Sequence, residues 1–220
     1  MSRDKMLKCG GLVTIGAILC YFFPLAHIRP LGKHSIDASA SNEQRSKVVD
    51  PVAYVDNFFA SSRLRTGEGA TEISQLWQAF DSDPNEAKKS GRQVGLGGAT
   101  YFCVKGRGIV TSIEKNGCIV TVPGNERQAF LSLGVLVDNT VREAIGVNVN
   151  QFANSQDFNA VSSELNLRIE QNVIQPINAQ LQGGAEIEFV GCAKVRTTPD
   201  LNPLLLVPIH IALLDAGDAK

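Results

Sequence analysis

The spacing of apolar side chains changes repeatedly along this chain, and each change predicts a different element. A basic head, Arg3, Lys5 and Lys8, precedes an uncharged apolar run from Cys9 to Ile28. That run has the ~20 residues needed to cross a hydrocarbon core, and its positive head belongs on the cytoplasmic side. From 29 to 48 no apolar period survives, and Ser35, Ser39, Ser41, Asn42 and Gln44 read as a polar stalk. A folded domain over 49–216 then opens at Asp50-Pro51, an N-cap followed by a first-turn proline, with Val52, Val55, Phe58 and Phe59 at helical spacing. A second helical stretch covers 70–88 through Ile73, Leu76, Trp77 and Phe80, with Asp83-Pro84 as a potential break.

Beyond Gly91 the period becomes strand-like, predicting strands at Ala99–Lys105, Ile109–Ile113, Cys118–Val122 and Ala129–Val137. Asn116-Gly117 predicts a type I′ hairpin with Ile113 opposite Val120. A long helix follows over 157–181, where Phe158, Val161, Leu165, Ile169, Val173, Ile177 and Leu181 form one stripe. Pro176 should kink or split it, and Gly183-Gly184 ends it. Strands Ala185–Val195 and Leu204–Leu214 close the domain. The order predicts an α+β fold: a small antiparallel β-barrel or curved sheet, OB-like, with one long helix and two N-terminal helices, preceded by a single transmembrane anchor. The alternative is an open sheet with the helix lying across one face.

Charge narrows the class of partner. A formal net charge of −1 gives no general attraction to nucleic acid. The domain holds three of the five cysteines, Cys103, Cys118 and Cys192, without metal-ligand spacing, and they read as small buried apolar side chains; no cofactor is implied. Cys20 is the candidate lipidation site, yet Leu19 stands where a lipoprotein signal has a small residue. Phe22, Phe23 and Pro24 close the apolar run where signal peptidase needs small residues. The preferred reading is a retained anchor in a bacterial inner membrane, with residues 9–28 in the bilayer and the bulk of the chain in the periplasm.

Candidate chemistry is sparse. Gly95, Gly97 and Gly98 lead into a strand rather than a helix, against a nucleotide loop. His210 lies inside an apolar strand with no recognisable nucleophile elbow. Lys105-Gly106-Arg107-Gly108 reads as a solvated bend between two strands. The densest polar cluster supplies the ligand-binding candidates Arg142, Glu143, Asn154, Gln156 and Asp157, groups able to read a hydroxyl-rich small molecule. The competing reading is structural: Asn154, Ser155 or Asp157 caps the long helix, and Arg142 pairs with Glu143 or Asp138.

Asp50-Pro51-Val-Ala-Tyr54-Val55-Asp56, Tyr101-Phe102-Cys-Val104-Lys105-Gly106-Arg-Gly108-Ile-Val110, Arg142-Glu143-Ala144-Ile-Gly146, and Phe152-Ala-Asn154 with Leu165-Asn166-Leu-Arg168 resemble the DUF2291 family of predicted periplasmic lipoproteins. The resemblance spans about Val48 to Leu214. It implies a non-enzymatic accessory to solute, or sugar, uptake, with an ABC-transport component or a solute-binding protein as partner. A structural envelope protein that docks other proteins is the alternative. A hydrolase built on Asp157, Glu143 and His210 is a third reading.

Overall fold

Asp50 sets the first boundary of the fold. Its carboxylate accepts the Val52 N–H at 3.0 Å, and Pro51 opens helix α1, Pro51–Ala60, as expected. The computed structural model describes residues 50–61, 67–95 and 98–214. The expected anchor and stalk, with Cys20, lie outside them. Among the described residues no helix is long and apolar enough to cross a membrane.

The short strand β1, Thr71–Glu72, runs into α2, Ile73–Ser82, which buries Ile73, Leu76, Trp77 and Phe80. Trp77 also donates its indole N–H to the Leu201 carbonyl at 3.1 Å, satisfying the one polar atom it buries. Asp83 ends α2 in an extended conformation and caps α3, Pro84–Lys89, by accepting from Asn85 and Glu86. The 70–88 stretch is therefore two helices, split at Asp83-Pro84.

After β2, Arg92–Gln93, the chain forms one continuous strand β3, Thr100–Glu114, where two strands and a bend were expected. Lys105, Gly106, Arg107 and Gly108 all keep the ladder, opposite Val190, Phe189, Glu188 and Ile187. Both glycines serve close packing. A Cβ on Gly106 would sit 2.8 Å from Ile73 Cγ2, and one on Gly108 would sit 2.5 Å from Val120 Cγ1 and 2.6 Å from the Thr121 carbonyl. The cations are paired, Lys105 with Glu72 at 3.7 Å and Arg107 with Glu188 at 2.9 Å.

β4, Gly117–Thr121, returns beside β3, but Ile113 faces Cys118 and Val120 faces Val110. The two-residue loop is thus Lys115-Asn116, and Gly117 is already in the strand. A side chain there would collide with the Leu131 carbonyl of β5, Gln128–Ser132. β5 stops at Ser132, five residues short of the Val137 expected from the apolar pattern.

Helices α4, Thr140–Ala144, and α5, Ser155–Ile169, follow; then a π turn, Glu170–Ile174, leads into α6, Gln175–Asn178. The π turn is the physical answer to Pro176. The Gln175 N–H reaches back five residues to the Glu170 carbonyl, and the wider turn relieves the crowding a proline imposes on the turn before it. One extra residue shifts the stripe: Ile174, not Val173, joins Val161, Leu165, Ile169 and Ile177 in the core.

Strands β6, Glu186–Val195, and β7, Leu204–Leu213, complete the sheet. β3 pairs with both β4 and β6, and the order β3-β4-β5-β7-β6 returns to β3. The expectation of purely antiparallel pairing is corrected at two seams, the short β1–β3 pairing and β5–β7. β5 and β7 run parallel through only three residue pairs, because the helical crossover returns the chain as β6, opposite to β5, and the β6–β7 reversal then restores the direction. The result is a curved, partly open sheet. Val104, Val110, Val120, Leu131, Ile187, Phe189, Leu204 and Leu206 are buried, and α2 and α5 contribute Trp77 and Leu165 to the same core.

Candidate functional site

Where the chain leaves β5 for α4 and crosses α5, it builds a groove whose lining mixes Leu136, Val137 and Leu167 with several amide, hydroxyl and charged side chains. Asp138 turns the chain by accepting the Thr140 N–H at 2.8 Å, and its backbone carbonyl accepts from the Asn166 amide at 2.9 Å. The Glu170 carboxylate, carried by the π turn, accepts the Leu136 N–H at 2.7 Å. These bonds tie the loop to α5 and leave a groove of about 690 Å³, lined by Asp138, Asn139, Arg142, Asn159, Ser162 and Asn166 among others.

Arg142 forms one wall. It is only 6% exposed, its guanidinium lies 3.9 Å from the centre of the Phe158 ring, and it donates to Glu143 at 2.8 Å, Asn159 at 2.9 Å and the Phe158 carbonyl at 3.3 Å. Glu143 is equally buried and takes a second, longer donor, Asn139, at 3.4 Å. Each charge in this buried pair therefore depends on the other. Two polar atoms of the groove residues, Arg142 Nε and Ser162 Oγ, are buried with no hydrogen-bond partner among the described residues. Such atoms are uncommon in folded proteins and call for a specific explanation.

The candidate residues separate into two groups. Arg142 lines the groove and pairs with the buried Glu143, which does not line it. Asn154 is the N-cap of α5: it accepts the Asp157 N–H at 2.9 Å and donates its amide to the Asp157 carboxylate at 2.9 Å. Gln156 is exposed on the first turn of that helix. His210 faces Val190 across the β6–β7 ladder and lines a different depression, with Asn172, Pro176 and Gln180, so Glu143 and His210 do not share a cavity. The groove also contains residues that the apolar stripe concealed. Asn159, Ser162, Asn166 and Glu170 recur three or four positions apart, a polar stripe beside the apolar one, and that period was the available signal.

The cysteines depart in part from the expectation that all three are buried. Cys118 and Cys192 are, but Cys103 is half-buried and lies beside Cys192. Gly95 and Gly98 take positive φ, 68° and 65°, in the approach to β3.

Five strands in this order, with the helical crossover between the third and fourth, define an OB-like domain. Among solved structures, it is similar to an OB-fold protein from Thermotoga maritima, with a TM-score of 0.66 and 21% identity over 76% of this chain and all of that one. At that identity the likeness concerns the fold alone. The chain belongs to the DUF2291 family, described as predicted periplasmic lipoproteins, which it matches over residues 17–212. The matched range includes Cys20. No curated protein matches the chain.

Proposed function

We propose that this domain is a non-catalytic binding module held at the periplasmic side of the inner membrane, and that the groove beside Arg142 takes a small, uncharged, hydroxyl-rich solute of the sugar or polyol class. The observation that carries this reading is the uncharged polar part of the groove lining, where Asn139, Asn159, Ser162, Ser163 and Asn166 bring together amides and hydroxyls, groups that both donate and accept as a hydroxyl-rich ligand requires. The Arg142 charge is already matched by Glu143, and Asp138 and Glu170 add negative charge, which disfavours an anion. An accessory role in solute uptake, with an ABC-transport component or a solute-binding protein as partner, fits a tethered module of this kind. The tether is residues 9–28 retained as a helix, or a lipid on Cys20, and intact mass of the N-terminus distinguishes them.

The test is a thermal-shift and calorimetric panel of sugars, polyols, amino acids and organic acids on the full chain in detergent. A sugar or polyol should raise the melting temperature, and Ser162→Ala and Asn159→Ala should weaken that response while leaving the unliganded protein folded. A panel in which only acids bind, or none of these solutes does, sinks the proposal.

Protein docking is the second reading. It is favoured by the exposed apolar residues Val135 and Val137, 82% and 88% accessible, beside the groove. Crosslinking in membranes that recovers a transport component only when both valines are intact would support it.

A further inference from the structure

Cys103 and Cys192 are direct partners in the antiparallel β3–β6 ladder, and their Sγ atoms lie 3.7 Å apart. They share the outer face of the sheet with the alternate pairs Lys105–Val190 and Arg107–Glu188. Opposed Cα atoms in such a ladder stand about 4.5–5.5 Å apart, inside the roughly 4.4–6.8 Å that a disulfide spans. Side-chain rotation can therefore join the sulfurs without moving either strand. Exposure assigns different parts to the two: Cys103 is half-buried, whereas Cys192 beside it is fully buried. The hydrogen bond shared with Cys192 pulls the Cys103 thiol down from its ordinary value. That same bond, burial and the charges of Cys103 and Asp138 push Cys192 up. Cys118 is opposite Leu131 in another ladder, where burial pushes its thiol up to about 11.

We propose that Cys103 and Cys192 form a dithiol–disulfide redox site whose co-substrate is a disulfide. The Cys103 thiolate attacks one sulfur of the donor, the donor S–S bond breaks, and the first donor thiolate leaves and takes up the proton lost by Cys103. Cys192 then gives up its proton and attacks the Cys103 sulfur, expelling the second donor thiolate, which accepts that proton. Two protein thiols are oxidised and one donor disulfide is reduced to two thiols. An exported domain meets such donors in an oxidising compartment. The product clamps β3 to β6, two of the strands that bring the sheet back on itself.

The experiment takes the full chain from membranes, alkylates free thiols at harvest and maps peptides without reduction. A Cys103–Cys192 crosslinked peptide is expected, with Cys118 recovered alkylated after denaturation. In a second arm, the purified reduced protein is exposed to oxidised glutathione. Oxidation in the cell but not by glutathione identifies a protein disulfide as the donor; oxidation in both arms identifies a site open to small disulfides. Recovery of Cys103 and Cys192 as free thiols in both arms, or a crosslink through Cys118, overturns the proposal. Cys192→Ser should accumulate one glutathionyl group on Cys103, while Cys103→Ser should leave Cys192 unmodified. The reverse pattern refutes the order of attack.

Discussion

Removing the Arg142 side chain tests whether the groove wall is built on a mutually dependent ion pair. Arg142→Met keeps most of the apolar volume but deletes the donors to Glu143, Asn159 and the Phe158 carbonyl, at 2.8, 2.9 and 3.3 Å. Glu143 is then left 5% exposed with Asn139 at 3.4 Å as its remaining side-chain donor. Breaking a buried pair from one side costs about 3–5 kcal/mol. In a domain of this size 1 kcal/mol corresponds to roughly 2–4 °C, so the melting temperature should fall by about 6–20 °C. The double variant Arg142→Met/Glu143→Leu removes both charges together, and paired replacement by apolar residues is commonly neutral or stabilising. It should therefore recover most of the loss. Urea unfolding of the four proteins in the cycle gives the coupling directly. A single-variant cost under about 1 kcal/mol, as for an exposed pair, or strictly additive effects, would refute the reasoning.

Asn154→Ala removes the α5 cap and should cost about 1 kcal/mol, whereas Gln156→Ala should stay within about 0.5 kcal/mol; equal costs would show that the cap contributes nothing. Gly108→Ala drives a Cβ against Val120 and the Thr121 backbone carbonyl, and should cost about 1–3 kcal/mol or more, read as a lowered urea midpoint; wild-type stability would mean the strands separate freely there. Asp200 accepts backbone N–H bonds from Thr197 and Arg196, which hold its carboxyl below the ordinary value. A depressed carboxyl stabilises the fold above its unfolded value, near about 4, and that contribution is lost as pH falls through the folded value. Asp200→Asn should accordingly be less stable than wild type at pH 7, with the gap closing below about pH 4; a gap that stays constant on acidification contradicts the assignment.

Local chemistry made much of the fold legible. Asp50-Pro51 marked the first helix, Asp83-Pro84 the break between the next two, and the strand–helix–strand order pointed to an OB-like sheet. What escaped depended on contacts made at long range. Glycine was read as a turn signal at Gly106, Gly108 and Gly117, yet each is needed because another element passes too close for a side chain. The hairpin register slipped for that reason, since Gly117 belongs to the strand facing Leu131. The parallel β5–β7 seam joins segments about seventy residues apart and has no local signature. At the site, Arg142 and Glu143 stood out in a dense polar cluster. Ser162 and Asn166 did not, because their stripe lies beside a stronger apolar one. The approach of Cys103 to Cys192, 89 residues later, follows from strand order alone.

The long β3 strand also dictates when this protein can fold. It finds partners in β1, β2 and β4 near it in sequence, but its most extensive ladder is with β6, and β5 waits for β7. Both late strands follow their partners by more than seventy residues, and contacts of such separation make folding slow because a long loop must close first. During synthesis, N-terminus first, β3, β4 and β5 are thus made before the strands β6 and β7 that complete their pairing. Folding becomes a late event of maturation, and truncations anywhere in β7 should read as loss of the whole domain rather than of one edge.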